Sequence, residues 1–305
     1  MTEGSTRAIV AALLANLGIA VAKFAAWLAT GAASMLAESV HSLADSANQA
    51  LLLWGGRAAR RPATAEHPFG YGRERYFWAF VVSVVLFLLG GVFAISQGID
   101  KLSHPHELTS PGWAIGVLLM GIVLEGFSLR TAIVESNAVR GGASWSEFIR
   151  HSKNPELPVV LLEDTGAMIG LVLALASVCL AAFTGNPIWD ALGSIAIGSL
   201  LCVIAVVLAV EMKSLLIGEA ASQRDIALLR ETLEGHAGVE RLIHLRTVHL
   251  GPDQILVGAK LELLGELDFA GVVATLNAVE DEVRARVPSV AYIYVEPDLH
   301  HPGLS

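Results

Sequence analysis

Six apolar runs, each long enough to cross a bilayer, constrain this chain more than anything else in it. A helix rises about 1.5 Å per residue, so roughly 20 residues cover the hydrocarbon core. The runs fall at about residues 9–29, just after Gly31 to 54, 76–99, 113–134, 159–183 and 188–210. Composition agrees: 54% of residues are hydrophobic and 16% charged, against about 25% charged in soluble domains. The net charge of −9 leaves no footprint for nucleic acid. Cys179 and Cys202 both lie in apolar runs and read as packing residues rather than ligands or a disulfide. Only Met1 to Thr6 precede Arg7 and the first run, so neither a cleavable signal nor a transit peptide is expected. A bacterial inner membrane fits that bare amino terminus best.

Orientation follows from the loops. Arg57, Arg60, Arg61, Arg73 and Arg75 fall between spans two and three, and Arg140, Arg150 and Lys153 between four and five. The opposite connections carry only Lys101. The positive-inside rule then puts both termini in the cytoplasm. Lys23 in span one is expected near an end, or with its stem snorkelling.

After Lys213 the composition becomes that of a soluble domain. Ser222 is expected to cap a helix to about Leu233. Residues 242–250 and 255–263 read as a hairpin around Gly251-Pro252-Asp253-Gln254, residues 269–287 as a second helix and 290–295 as a last strand. That order suggests a small α/β sandwich with one face of its sheet covered. The expected division is a six-helix transmembrane domain over 1–215 and a cytoplasmic domain over 216–305. Residues 135–158 read as a polar loop.

Polar chemistry concentrates in span two. His41 and Asp45 are four residues apart, with Glu38 and Asn48 three residues beyond on either side, so on a helix the four form one stripe. An imidazole and a carboxylate on one face suit a divalent transition metal. Ionisable groups within a span point to function, although such a stripe can also serve only to bond helices together. A second constellation is Glu163-Asp164 in span five. The two lie about 100° apart around a helix, so only one can face a given site. Glu125, mid-span in helix four, is either a pathway or proton carboxylate or a partner for Asn16 or Ser128.

The stretches Glu38-Ser39-Val40-His41-Ser42-Leu43-Ala44-Asp45, His67-Pro68-Phe69-Gly70-Tyr71-Gly72, Leu161-Leu162-Glu163-Asp164 and Gly185-Asn186-Pro187 resemble the cation diffusion facilitator family, nearest the zinc transporter nine branch. The resemblance covers nearly the whole chain. It implies an α-helical membrane protein with six transmembrane helices plus a C-terminal α/β ferredoxin-like cytoplasmic domain. It further implies a homodimer that exchanges metal for protons by alternating access. Carried over residue by residue, the metal ligands are His41, Asp45 and Asp164. The fourth family position falls on Val160, which cannot ligate, so water, Glu38, Asn48 or Glu163 would complete the set. Zinc is the first expectation; Mn2+, Co2+, Fe2+ and Ni2+ suit the same donors. Asn16, Asn48 and Glu125 are the expected pathway or proton residues.

The family's accessory sites are eroded. His67 remains in the loop after span two, but Tyr71 stands where a second His is expected and the loop has no Asp. Ile243, Ala259 and Tyr294 occupy the aligned positions of the cytoplasmic site, with His244 and His249 out of register. His300 and His301 form a tail pair suited to adventitious metal, and only His151 remains between spans four and five. The expected partners are a second copy of the chain, the lipid bilayer and protons as counter-ion, with no prosthetic group. Two other readings are a metal sensor without net flux and an intramembrane metal-dependent hydrolase. The chain is not expected to be an enzyme, since neither His-Glu-x-x-His nor Gly-x-Ser-x-Gly occurs.

Overall fold

The structure is a computed structural model that describes residues 3–105 and 111–299, with side chains from residue 17 onward. The chain divides into two compact units, Met1–Arg57 with Phe77–Lys213 and Ala58–Tyr76 with Ser214–Ser305. The long connection after span two therefore belongs with the C-terminal residues.

Apolar helices make up the first unit. They are α1 (Glu3–Thr30), α2 (Ala33–Ala58), α3 (Glu74–Val85), α4 (Phe93–Ser103), α5 (Pro111–Arg140), α7 (Glu156–Thr184) and α8 (Ile188–Ile217). A π-helical segment, Leu86–Val92, joins α3 to α4 without a break. Among the described residues, Glu74–Ser103, Pro111–Arg140, Glu156–Thr184 and Ile188–Ile217 are long and apolar enough to cross a membrane. α1 and α2 stand where the first two spans were expected. The apolar described part of α1 is the shorter Leu17–Thr30, and the polar stripe makes α2 less apolar. Gly31, at φ 66°, turns the chain between them in a conformation that other residues adopt only with strain.

The start of α2 is pinned by an acid from the other end of the unit. Asp190, in the first turn of α8, accepts hydrogen bonds from the Ala33 amide at 2.7 Å and the Ser34 amide at 3.4 Å. It also accepts one from the Ser34 hydroxyl. Lys101 at the end of α4 donates to Asp190 at 2.8 Å and to the Gly31 carbonyl at 3.0 Å. Both charges are buried. One carboxylate thus satisfies orphan donors of a helix start and neutralises an ammonium. Lys101, expected in a loop, is instead part of this joint, because its ammonium reaches a buried carboxylate.

α4 packs on α8 through small residues. A side chain on Gly98 would come within 2.7 Å of the Ala191 carbonyl, so the backbones approach as small-residue contacts between membrane helices allow. Cys202 packs against Gly91, the packing role expected of it. The expected polar loop over 135–158 is corrected: α5 continues to Arg140, and α6 (Trp145–His151) follows. The cause is a capping box, in which Ser144 accepts from the Glu147 amide while the Glu147 side chain accepts from the Ser144 amide.

The second unit follows the expected order: α9 (Gln223–Gly235), β1 (Val239–Gly251), β2 (Gln254–Leu263), α10 (Phe269–Arg286) and β3 (Val290–Pro297). The sheet order is β1-β2-β3, antiparallel between β1 and β2 and parallel between β2 and β3. Ser222 and Asp268 cap the two helices through side-chain oxygens. Along β2, Ile255, Val257, Ala259 and Leu261 are buried in alternation, the period of a half-buried strand. They meet Leu229 and Leu233 of α9 and Val279 and Val283 of α10 in one core.

Asp190→Ala should lower stability by about 3–5 kcal/mol, because it leaves the Lys101 ammonium buried without its counter-charge. Unfolding measured in detergent micelles would test this, and a loss below about 1 kcal/mol, the scale of a solvated pair, would contradict it.

Candidate metal site

α2 lays its polar residues along one face as the four-residue spacing requires. Glu38, His41 and Asn48 are buried, and the His41 Nε2 lies 3.5 Å from the Asp45 Oδ2. Both His41 ring nitrogens and the Asp45 Oδ1 are buried without a hydrogen-bond partner. Each such atom costs about 1–3 kcal/mol when nothing compensates it. Donor atoms of the right chemistry are therefore held ready side by side. The π-helical segment adds room next to them: a side chain on Gly90 would lie 3.7 Å from the His41 Nδ1 and 3.1 Å from Leu201. Such segments recur where a helix is shaped for function.

The other expected residues are disposed unevenly around this pair. Glu38 is held by Lys23, whose Nζ lies 3.1 Å from Glu38 Oε2 and 2.7 Å from the Ser42 hydroxyl. Lys23 is fully buried, so the snorkelling expectation is corrected: the ammonium has a carboxylate within the bundle and no need to reach water. Asn48 donates to Glu163 at 2.7 Å, which ties α2 to α7 and leaves the Asn48 Oδ1 buried without a partner. Asp164 accepts from the Ser128 hydroxyl of α5 at 2.7 Å. Glu125 shares a small crevice with Asp45, Ser42 and Ile19, so it stands beside the pair rather than on Ser128. Val160 packs with Leu157, Leu161 and Phe148 in an apolar cluster.

Among the described residues, no three His, Cys, Asp or Glu side chains gather within reach of one ion. His41 and Asp45 come together; Asp164 stays on Ser128. Of the candidate fourth ligands, Glu38 is engaged in an ion pair, and Glu163 and Asn48 bond each other. The Asn16 side chain lies outside the described residues, as do His300 and His301.

Among the described residues the accessory positions hold no cluster either. His67 is exposed and meets the edge of the Tyr71 ring at 4.5 Å. His244 is exposed on β1, and His249 is buried with its Nδ1 3.1 Å from the Gly251 carbonyl. His151 is exposed, its Nδ1 3.1 Å from the Glu147 carbonyl.

Sequence reasoning missed the role of Lys23, although a signal was present. Lys23 lies eight residues before the Gly31 turn and Glu38 seven after it, so a helical hairpin sets them level. The π-helical segment had only a weak signal, the Gly90-Gly91 pair inside an apolar run.

Comparison with known proteins adds an independent finding. The family described as the cation efflux transmembrane domain matches residues 9–217. The mitochondrial proton-coupled zinc antiporter SLC30A9 of Homo sapiens is 32% identical over 282 residues, covering 92% of this chain and 49% of that protein. Metal tolerance protein C4 of Arabidopsis thaliana is 34% identical over 271 residues, 87% of this chain and 58% of that protein. The magnetosome protein MamM of Paramagnetospirillum magneticum is 32% identical over 131 residues, 41% of each chain. The chain spans about half the length of the first of these relatives. The matches agree with the family and branch that the motifs resemble.

Lys23→Met and Glu38→Gln should each destabilise the protein by about 3–5 kcal/mol, since each leaves one buried charge alone. The double variant should recover most of that loss and still bind metal. Thermal unfolding of the three variants, with a metal titration of the double one, checks both points. Lost binding in a well-folded double variant would return Glu38 to the ligand set.

Proposed function

Because the chain belongs to the cation efflux family, a family of transporters rather than enzymes, we propose that it exports a divalent metal from the cytoplasm in exchange for protons. Zinc is the first metal, with Mn2+, Co2+, Fe2+ and Ni2+ suited to the same donors. The observation that carries this reading is the His41–Asp45 pair, whose buried donor atoms have no hydrogen-bond partner. The name of the human relative, a proton-coupled zinc antiporter, supports both the metal and the counter-ion.

In this reading His41, Asp45 and Asp164 bind the metal and a water completes four ligands. Asp164 leaves Ser128 to join the pair when metal arrives. Three protein ligands with one open position form a labile set, which suits a site that must release what it captures. Metal ligands must be deprotonated, so capture on one side liberates protons and protonation on the other side drives release. Glu125, beside Asp45, lines the path, and Asn16 and Asn48 are its polar neighbours. α1 and α2 complete six spans, with both termini cytoplasmic and residues 216–305 as a ferredoxin-like cytoplasmic domain. The arginines at 57, 60, 61, 73 and 75 support that orientation. With Lys101 buried in an ion pair, the charge asymmetry between the two sides is sharper than the sequence count alone. The working unit is a homodimer. Its membrane must hold a proton gradient, which the proposed bacterial inner membrane does.

Proteoliposomes loaded with a zinc-sensitive dye test the proposal. Zinc flux should follow an imposed pH gradient, and Asp45→Ala or Asp164→Ala should reduce it to background while leaving the protein folded. Metal binding by the intact protein without flux under any gradient would favour a sensor instead.

A second expectation concerns the metal-free arrangement. The Ser128 hydrogen bond stabilises Asp164 away from the pair, and a bond to a charged group contributes about 1.5–3 kcal/mol. Ser128→Ala should therefore bind zinc roughly tenfold more tightly or better. Equilibrium dialysis measures this, and weaker binding would mean that Ser128 orients Asp164 for the metal rather than withholding it.

A further inference from the structure

The second unit contains a cavity of about 440 Å³ between the α2–α3 connection and the β1–β2 turn. Its lining includes Arg60, Arg61 and Arg75, with Tyr71, Tyr292 and Gln254. Three arginines line one space in a chain whose net charge is −9. Asp253 is the one carboxylate of the lining. It lies 3.8 Å from Arg75 and is 91% exposed, so that one pair is screened by water. Arg61 lies over the Tyr71 ring at 5.4 Å, which orients its planar fork. Phe69 meets Tyr292 edge-on at 5.2 Å, fixing one wall.

Two features set this apart from a loop that is merely basic. The floor is built by close backbone approach: a side chain on Gly72 would meet the Gly251 Cα at 3.2 Å and the Gln254 Oε1 at 2.8 Å. The Gln254 Oε1 is also buried without a hydrogen-bond partner at this floor. A side-chain amide can turn to present N–H instead of C=O, so Gln254 can donate to an anion that the arginines attract. Guanidinium forks match phosphate oxygens in pairs, and the tyrosines add flat surface, with the Tyr71 hydroxyl 3.3 Å from that of Thr64. A volume of this size fits a small organic ligand and exceeds what a bare phosphate fills.

We propose that this cavity binds a phosphate-bearing organic anion, held by Arg60, Arg61 and Arg75 against Tyr71 and Gln254. The phosphate ester can come from a soluble nucleotide or sugar phosphate, or from a lipid headgroup. An occupant bridges the connection that leaves α2 to the hairpin turn of the sheet.

Titration calorimetry of the full-length protein in detergent with ATP and with inositol 1,4,5-trisphosphate forms the soluble arm. Native mass spectrometry of the same protein from micelles with or without phosphatidylinositol 4,5-bisphosphate forms the lipid arm. Saturable binding in either arm is expected and identifies the source. The double variant Arg61→Lys/Arg75→Lys keeps the charge of the loop, hence its insertion topology, but loses two forks; it should bind at least tenfold more weakly. Gln254→Leu, which changes no charge, should also weaken binding, and Arg230→Gln, outside the cavity, should not. No binding in either arm, or equal binding by the lysine variant with an unchanged melting temperature, overturns the proposal and leaves the arginines as topology determinants only. Zinc flux is not the readout, so failure here is distinct from failure of the transport reading.

Discussion

A charge inside an apolar helix bundle is tolerated only with a partner, and α2 is fixed in place by two such pairings. At its start, Asp190 takes up the first amides of the helix together with the Lys101 ammonium. Five residues on, Glu38 is bound to Lys23 of α1. A third bond, Asn48 to Glu163, ties the far end of the stripe to α7. Between these fixed points lie His41 and Asp45; both His41 ring nitrogens and the Asp45 Oδ1 are buried without a hydrogen-bond partner, as are the second oxygen of Glu38 and the Asn48 Oδ1. The stripe is thus not uniform. Glu38 and Asn48 each spend one polar atom on another helix, and His41 and Asp45 are the pair proposed to hold the metal. Asp164 differs from the pair in being held by a single serine hydroxyl. In the proposed site, Asp164 then has one hydrogen bond to exchange before it can join the pair, an asymmetry that suits capture and release.

Much of this was legible in the sequence because membrane and strand periodicities are strong local signals. The order of elements after Lys213 followed from alternating apolar residues, the Gly251-Pro252-Asp253-Gln254 turn and the Ser222 cap. The helix positions in the first unit followed from apolar run length. Local capping in a polar stretch was missed: Ser144 and Glu147 make a helix out of residues that look like loop. Pairings across the bundle were harder. Nothing near Asp164 announces Ser128, and nothing near Asp190 announces Lys101, because those bonds depend on how helices rotate against one another. Lys23 is intermediate, since the turn at Gly31 sets it level with Glu38. The connection after span two illustrates a different limit. Its arginines are readable as topology signals, yet their convergence on a cavity depends on folding against a hairpin turn far away in the chain.

The pairing of Lys23 with Glu38 also bears on what the site can carry. With Glu38 neutralised, the proposed ligand set has two carboxylates, Asp45 and Asp164, and one imidazole that is neutral when it binds metal. A divalent ion cancels those two charges. A monovalent ion would leave the site negative, and a free Glu38 carboxylate would do so even with the divalent ion bound. Uncompensated charge at membrane depth costs at least several kcal/mol, so a loaded site of zero net charge is the one able to move between the two faces. Selection by charge then follows from Lys23 as much as from the ligands themselves. Selection among divalent metals rests on ligand number and geometry, where an imidazole, two carboxylates and one open position leave zinc favoured but not alone. In the proposed set, Val160, an apolar residue where the resemblance leads one to expect a fourth donor, would leave that position to water.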